Sequence, residues 1–314
     1  MGRALTFPGQ GSQAVGMGQP LAQAFATARE LFEEIDEALQ QPLSRLMWQG
    51  PETDLTLTEN AQPALMAVSL AVMRVLEHDG KFAWGKHVQL VAGHSLGEYS
   101  ALAAAGAFSV ADAARLLKAR GRAMQRAVPV GQGAMAALLG AEIGQAEESS
   151  KEASTRGEVC VVANDNAPGQ VVISGHKAAI ERAAEIAKTK GVKRAMMLPV
   201  SAPFHSPLMA PAAHEMEDAL SGANVKPPRV PVISNVSVRP ESDPATIKRL
   251  LIEQITGRVR WRETIESLRG HGITAVAEIG AGKVLTTMAK RIDKDLALIS
   301  VETPQEIEAF LKAL

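Results

Sequence analysis

The feature that most constrains the fold is the pentapeptide GHSLG at residues 93–97. It follows an apolar run at 88–92 and opens a helix-forming stretch at 98–105. A serine at a sharp turn between a strand and a helix is typical of a nucleophile elbow, which lifts the hydroxyl clear of the sheet. The glycines permit the tight turn, and the helix points unpaired N–H groups at the serine. A chance match is the alternative, but its strand-turn-helix context favours Ser95 as a nucleophile.

Length, composition and charge limit the class of protein to which this chain can belong. The chain has 314 residues, of which 46% are hydrophobic, which is enough for one large domain with a smaller one attached. The net charge of −1 gives no general attraction to nucleic acid or to an anionic membrane. The single cysteine, Cys160, excludes an intrachain disulfide and a cysteine-rich metal site. It lies in a predicted strand, where we expect a buried, inert thiol.

Neither a targeting signal nor a membrane span is expected. No secretory signal is visible at residues 1–8. The most apolar stretch, at 63–76, is interrupted by polar residues and too short to cross a bilayer. The simplest interpretation is a soluble cytoplasmic protein that does not contact membranes.

Strands and helices alternate in the first and last parts of the chain, which favours an α/β fold with a mostly parallel sheet covered by helices. The middle part has the order β-α-β-β-α-β, which is the ferredoxin-like arrangement. We therefore predict a large α/β catalytic subdomain formed by 1–128 and 198–314, with a small ferredoxin-like subdomain, 129–197, inserted into it. Within the insert, 164–169 is predicted to be a loop. Its asparagines, Asn164 and Asn166, are expected mainly to form a turn, with contact to substrate as the alternative.

A serine hydroxyl needs a base within hydrogen-bond reach. His205 follows a predicted strand in a loop stiffened by prolines on both sides, so it is the candidate base, with a purely structural histidine as the alternative. His94 adjoins the serine, but neighbouring residues at a turn point in different directions. The other histidines lie in polar surroundings and are expected to face solvent: His78, His87, His176, His214 and His271.

No residue matches the acid of a conventional hydrolase triad, and the oxyanion donors have only partial signals. A conventional order would place an acid between Ser95 and His205. Asp112 is better explained as a first-turn helix residue, and Asp165 lies in the predicted loop of the insert. The N–H of Leu96 is the usual first oxyanion donor, and the glycine-rich loop at 9–11 is a candidate for the second, with a plain tight turn as its alternative.

Five motifs together resemble one family. They are FPGQGSQ at 7–13, GHSLGE at 93–98, RG at 120–121, APFHS at 202–206 and EIG at 278–280. They occur in the order found in malonyl-CoA:acyl carrier protein transacylases, members of the acyltransferase family of fatty-acid and polyketide synthesis. The resemblance extends from Ala4 to about Val301, which is nearly the whole chain.

The resemblance implies a role for each matching residue. Ser95 would accept malonyl from coenzyme A, and His205 would act as its base and then protonate the leaving thiolate. A backbone carbonyl, that of Gln254, would hold the imidazole in place of a carboxylate. The N–H groups of Gln10 and Leu96 would form the oxyanion hole.

Arg120 would bind the malonyl carboxylate in this family. A guanidinium suits that task because it grips a carboxylate through two parallel hydrogen bonds and stays charged when desolvated. The choice among neighbouring basic residues rests on the resemblance, since a solvated helix face would explain them all: Arg115, Lys118, Arg122 and Arg126. Leu96 and Phe204 are similar to the residues of malonyl-selective members.

The implied reaction transfers malonyl through a malonyl-serine to the phosphopantetheine thiol of an acyl carrier protein, without a metal, nucleotide or flavin cofactor. Fatty-acid synthesis and a monomer are the expected setting for a free-standing member. Carrier proteins of this pathway are acidic, so a basic patch is expected near the cleft. The candidates, with a solvated surface as the alternative, are Lys193, Arg194, Lys290 and Arg291.

Two other functions compete with this one. A serine thioesterase or esterase would share Ser95 and His205 but would not need Arg120. A non-catalytic subunit that only binds a carrier protein would need none of these residues, so their presence together argues against it.

Overall fold

The structure is a computed structural model that describes residues 2–155, 157–200 and 202–314. The strands are β1 (Gly2–Phe7), β2 (Leu90–Gly93), β3 (Gly133–Leu139), β4 (Cys160–Ala167), β5 (Gln170–His176), β6 (Arg194–Met197), β7 (Val232–Ile233), β8 (Pro240–Glu241), β9 (Ile273–Ile279) and β10 (Ala297–Val301). The helices are α1 (Gln19–Ala24), α2 (Ala26–Leu39), α3 (Leu43–Gln49), α4 (Glu52–Thr56), α5 (Thr58–His78), α6 (Leu96–Ala104), α7 (Val110–Arg126), α8 (Ile143–Ala153), α9 (Lys177–Thr189), α10 (Ala210–Ser221), α11 (Pro244–Thr256), α12 (Trp261–Ser267), α13 (Val284–Ile292) and α14 (Pro304–Lys312).

The larger sheet is mostly parallel. Across the described residues its strand order is β10-β9-β1-β2-β7-β8, and only the pairing of β7 with the short β8 is antiparallel. Parallel strands need crossover helices, which cover both faces and explain the apolar runs in the central strands. The predicted α/β architecture is confirmed. The carboxyl ends of β1, β2 and β7 lie side by side at one edge, where such sheets bind ligands.

The second sheet is antiparallel, with the order β4-β5-β3-β6. Its connections are β3-α8-β4-β5-α9-β6, so the predicted ferredoxin-like insert is present. Apolar residues of α8 and α9 pack on one face of this sheet and form a separate core. Its strands all lie within the predicted insert, 129–197. The two subdomain boundaries themselves stay a prediction.

The core of the large subdomain surrounds α5. This helix is buried along most of its length and packs between α2 and α7, so it is apolar on more than one face. Gly121 of α7 lies so close to the start of α5 that a Cβ there would be 2.5 Å from the Cα of Glu59. The glycine of the RG motif therefore permits a close helix contact that brings the first turn of α5 beside Arg120.

Several predicted elements differ from the structure. Apolar residues at three- and four-residue intervals over 20–40 predict one helix, but the structure has two, because the extended backbone of Phe25 (φ −128°, ψ 123°) separates α1 from α2. The predicted loop at 164–169 is wrong, because β4 continues to Ala167 and only Pro168 and Gly169 form the turn to β5. The sequence patterns did not predict the short α3, α4 and β8, nor the C-terminal α14.

None of the helices within the described ranges is long and apolar enough to cross a lipid bilayer.

Candidate active site

Ser95 lies at the tip of the turn between β2 and α6. Its φ of 53° and ψ of −110° are strained values for a residue with a side chain, as expected for a nucleophile elbow. A Cβ on Gly93 would be 1.9 Å from the carbonyl of Gly97, and one on Gly97 would be 2.2 Å from the carbonyl oxygen of Phe7. The two glycines are therefore required by the close approach of backbone segments.

Asn235, just beyond β7, holds this strained turn. Its Oδ1 accepts a hydrogen bond from the N–H of Ser95 at 2.8 Å, and its Nδ2 donates to the carbonyl of Gly93 at 2.7 Å. Asn235 is itself fully buried, and its side chain spans the elbow on either side of His94. No local sequence pattern marks this residue, because the pairing of β2 with β7 brings it there.

His205 stands directly against the serine. The Oγ of Ser95 lies 2.8 Å from Nε2 of His205. The other ring nitrogen, Nδ1, lies 2.9 Å from the carbonyl oxygen of Gln254 and 3.2 Å from that of Gly257. Carbonyl oxygens only accept hydrogen bonds, so Nδ1 carries the hydrogen and Nε2 is left to accept the serine proton. The geometry is that of a nucleophile with its base.

The environment keeps this imidazole neutral. Burial, followed by the positive charge of Arg120, lowers the pKa of His205 to about 3. The hydrogen bonds to the backbone carbonyls act in the opposite direction but are weaker influences. A neutral imidazole at pH 7 is the form that can accept a proton.

His94 points away from the catalytic pair, as expected. Its Nε2 lies 2.8 Å from Oδ1 of Asn166, and its ring packs edge-on against Trp261. Among the histidines expected to face solvent, His87 and His176 are half-buried, and Nδ1 of each ring accepts a backbone N–H.

Arg120 reaches the nucleophile from α7. Its side chain is 1% exposed, and Nη2 donates to Oγ of Ser95 at 3.1 Å and to Oε1 of Gln254 at 2.9 Å. Its Nη1 donates to Oε1 of Gln62 at 2.8 Å, and the guanidinium lies over the ring of Tyr99. Within the described part of the chain, Nε has no hydrogen-bond partner. The guanidinium therefore places positive charge beside the nucleophile in the cleft, where it could meet an anion.

The other basic residues of this helix are engaged elsewhere. Arg122 and Lys118 pair with Glu59, Arg126 pairs with Glu215, and Arg115 pairs with Asp112. Of these, only Lys118 is buried, and its ammonium also contacts the side chains of Gln41 and Asn60. The structure thus separates Arg120 from neighbours that the sequence could not distinguish from it.

A buried carboxyl group lies behind the site. Oε2 of Glu98 accepts from the backbone N–H of Asn235 at 3.0 Å and from Nε2 of Gln254 at 2.8 Å. Burial raises the pKa of Glu98 to about 7. Gln254 also donates to the carbonyl oxygen of Ser95 at 3.1 Å. Its backbone therefore orients His205 while its side chain connects Glu98, Ser95 and Arg120.

The expected oxyanion donors border the same cleft. Leu96 begins α6, so its N–H has no partner inside the helix, and Gln10 lies in the turn after β1. Among the described residues, neither N–H has a hydrogen-bond acceptor. Gly9 packs against His94 so closely that a Cβ there would be 2.8 Å from the His94 carbonyl oxygen. The glycine-rich loop therefore rests on the elbow.

The cleft between the two sheets forms a cavity of about 310 Å³. Ser95, His205 and Arg120 line it together with apolar residues such as Met135, Phe204 and Leu285. The prediction that Asn164 and Asn166 mainly form a turn is wrong. Both lie in β4 and line the cavity, since residues two apart on a strand point to the same face of the sheet.

Asp165, expected in a loop, is buried in β4 and forms an ion pair with Arg262 of α12 at 2.8 Å. It ties the insert to the large subdomain and is not directed at the serine. Cys160 is buried as predicted, and burial raises the pKa of its thiol to about 11.

The basic residues considered for a carrier-protein patch are exposed. Arg291 donates to the backbone carbonyl of Pro168 and to Oε1 of Gln170, at the turn between β4 and β5. Lys193 packs over Gly140, whose N–H bonds to the carbonyl of Gly169 in the same turn. Lys290 and Arg194 adjoin them in sequence. The structure brings Lys193 and Arg291 to one end of the small sheet, and docking remains a proposal.

Within the described ranges, no group of three or more His, Cys, Asp or Glu residues is arranged to hold a metal ion.

Comparison with known proteins shows the family to which the chain belongs. Residues 5–303 match the model of the acyl transferase domain. The chain belongs to the acyl transferase domain family. This acyltransferase is 45% identical over 311 residues to the malonyl CoA-acyl carrier protein transacylase of Bacillus subtilis (strain 168), covering 99% of this chain and 96% of that protein.

Solved structures give the same result. The crystal structure of the acyl-carrier-protein-S-malonyltransferase of Bartonella henselae matches this acyltransferase with a TM-score of 0.97 and 57% identity, over 100% of this chain and 99% of that one. A malonyl-transacylase in complex with its type II PKS acyl-carrier protein matches with a TM-score of 0.96 and 41% identity, over 100% of both chains. The predicted family and fold are confirmed.

Proposed function

We propose that this acyltransferase moves malonyl from malonyl-CoA to the phosphopantetheine thiol of an acyl carrier protein. The observation that carries the proposal is a neutral Ser95–His205 pair with a buried, charged Arg120 in direct contact with the serine. A serine esterase acting on neutral acyl groups gains nothing from a guanidinium at that position. The names of the relatives point to the same substrate.

The first half-reaction forms an ester on Ser95. As Oγ attacks the thioester carbonyl, its proton passes to Nε2 of His205, and the N–H groups of Leu96 and Gln10 stabilise the oxyanion. The C–S bond then breaks, the proton returns from His205 to the sulfur, and coenzyme A leaves. Arg120 binds the malonyl carboxylate throughout.

The second half-reaction repeats these steps with another thiol. The phosphopantetheine thiol gives its proton to His205 and attacks the ester, and Ser95 recovers a proton as it leaves. The apolar walls of the cleft favour transfer over hydrolysis by limiting water. Side chains and backbone supply every group that this reaction uses, so we propose that no cofactor takes part.

The proposed partner docks at the patch formed by Lys193, Arg194, Lys290 and Arg291. The complex of a similar malonyl-transacylase with its carrier protein supports such a partner. Fatty-acid synthesis, a monomeric state and a cytoplasmic location complete the proposal. Light scattering on the purified protein tests the monomer, and fractionation of cells tests the location.

Transfer is tested by incubating the enzyme with malonyl-CoA and holo carrier protein and measuring the carrier's mass. A malonyl adduct on the holo form, and none on the apo form that lacks the thiol, is the expected result. Release of free malonate without any carrier adduct would contradict transfer and would favour a thioesterase.

A further inference from the structure

A buried polar relay links Arg120 to the loop that carries Gln10. Nη1 of Arg120 donates to Oε1 of Gln62 at 2.8 Å, and Nε2 of Gln62 donates to Oγ1 of Thr58 at 3.0 Å. The hydroxyl of Thr58 then donates to Oε1 of Gln10 at 2.9 Å. Gln62 and Thr58 are 2% and 3% exposed, so water competes little with the first two bonds, while the third reaches Gln10 at the exposed end of the relay.

The chemistry of the residues gives the relay one direction. A guanidinium can only donate, so the Gln62 amide must turn its oxygen to Arg120 and its nitrogen to Thr58. The hydroxyl of Thr58 accepts that bond, and its single hydrogen is then directed at Gln10. Each hydrogen is thus assigned by the group before it, beginning with the permanent charge of Arg120.

The sequence explains why these groups meet. Thr58 and Gln62 are four residues apart at the start of α5, so they lie on one face of the helix. Gly121 allows α7 to approach this first turn closely, which places Arg120 next to Gln62. Between β1 and α1, the Gln10 loop has no helix or strand of its own. Thr58 therefore supplies a fixed point for a glycine-rich loop.

We propose that Thr58 is a positioning residue that holds the Gln10 N–H at the reaction centre, and that the relay ties the oxyanion site to the carboxylate site. This inference rests on the proposed function, in which Gln10 stabilises the oxyanion and Arg120 binds the malonyl carboxylate. Thr58 touches neither the nucleophile nor the acyl group in this account and acts only through Gln10 and Gln62.

The test uses Thr58→Val, which removes the hydroxyl and keeps the shape of the side chain. Acylation of Ser95 is followed with malonyl-CoA and with p-nitrophenyl acetate, a neutral ester that also forms an oxyanion. We expect kcat to fall about tenfold with both substrates while KM changes less than about twofold, a smaller loss than deleting an oxyanion donor. Thr58→Ser, which keeps the hydroxyl, should retain most of the activity.

The matched control is Thr264→Val, because Thr264 is also buried and its hydroxyl makes an internal hydrogen bond, to the Arg260 carbonyl, away from the relay. It should leave both kcat values unchanged. Equal behaviour of the Thr58 and Thr264 variants would overturn the proposal, as would a loss confined to KM for malonyl-CoA. If Thr58→Val does not fold, Thr58→Ala compared with Thr58→Ser makes the same test.

The tie between the two sites is tested with Gln62→Met. The relay predicts that this change also lowers kcat for p-nitrophenyl acetate several-fold, although that substrate has no carboxylate for Arg120. An effect on malonyl-CoA alone would overturn the tie. Failure of the proposed function would show itself in the unaltered enzyme, as absence of a malonyl adduct, whereas failure of this inference shows only in the variants.

Discussion

Nη2 of Arg120 lies 3.1 Å from Oγ of Ser95, so the cation expected to bind the acyl carboxylate contacts the nucleophile itself. In malonyl a single methylene separates the carboxylate from the thioester carbonyl. A guanidinium beside the attacked carbon suits a short dicarboxylic acyl group, because it can bind the carboxylate during the reaction. A neutral acyl group has no charge with which that cation could pair.

Arg120→Ala should abolish the preference for malonyl. We expect kcat/KM for malonyl-CoA to fall about a hundredfold or more, because the bidentate, charge-assisted hydrogen bonds from Arg120 to the malonyl carboxylate are lost. Hydrolysis of p-nitrophenyl acetate should change far less. Arg122→Ala is the control, since Arg122 lies on the same helix but is exposed and paired with Glu59. Equal losses for both substrates would show that Arg120 serves the structure of the site and not the carboxylate.

The pH dependence of acylation should reflect the depressed pKa of His205. An ordinary histidine is protonated, and so lost as a base, below about pH 6.5. Because burial and Arg120 lower the pKa of His205 to about 3, its base function should persist well below that pH. The pre-steady-state burst with p-nitrophenyl acetate, measured from pH 8 down to the lowest pH at which the enzyme stays folded, checks this. Since Glu98 titrates near pH 7, the profile is repeated in Glu98→Gln.

Removing the charge of Arg120 should move that profile. In Arg120→Ala one of the causes that lower the pKa of His205 is absent, so the acidic limb should shift toward neutral pH. An unchanged limb would mean that the positive charge does not act on the imidazole.

Glu98→Gln should stabilise the folded protein at alkaline pH. Burial raises the pKa of Glu98 from 4.5 to about 7, so between these values the folded state binds more protons than the unfolded state. The free energy of unfolding therefore falls as pH rises through that window, and above it the buried carboxylate destabilises the folded state by its full amount. We expect the free energy of unfolding at pH 8 to rise by on the order of 1–3 kcal/mol.

The gain in Glu98→Gln should shrink toward pH 4.5, where the folded enzyme already holds Glu98 protonated. Urea unfolding at pH 8 and pH 5 measures the difference, with the exposed Glu308→Gln as control. A loss of stability at pH 8 would mean that the carboxylate's hydrogen bonds to Gln254 and Asn235 outweigh its burial.

Charge reversal at Lys193 and Arg194 should weaken binding of the carrier protein without affecting the reaction with malonyl-CoA. We expect KM for holo carrier protein to rise about tenfold in the double variant, and the rise to diminish with salt, since exposed charges are screened. Acylation by malonyl-CoA should be unaffected. Lys188→Glu on α9 is the control, because Lys188 is exposed on the same small subdomain. An unchanged KM would remove Lys193 and Arg194 from the docking surface.

Much of the fold followed from local sequence signals. The GHSLG turn, the strand-helix alternation and the β-α-β-β-α-β order of the insert are patterns of neighbouring residues, so they predicted both sheets. Short elements such as α3 and α4 lack enough residues to show a period. Asn164 and Asn166 were misread because asparagines before Pro-Gly suggest a turn, whereas the Pro168–Gly169 turn needs no further residues.

The site depends more on contacts between distant parts of the chain. Ser95 and His205 had recognisable motifs, but Arg120 could not be separated from its helical neighbours until burial and pairing were known. Asn235, Glu98, Gln62 and Thr58 went unnoticed for the same reason: each acts through a partner far away in sequence. Glu98 alone had a signal, as an acid in the apolar first turn of the elbow helix.

The central claim is that Ser95 carries malonyl between two thiols. Its most direct test is the intact mass of the enzyme after brief mixing with malonyl-CoA, beside a Ser95→Ala control. The account predicts one malonyl adduct that is absent from the Ser95→Ala variant and disappears when holo carrier protein is added. No adduct together with slow release of malonate, or an adduct that persists in Ser95→Ala, would contradict it.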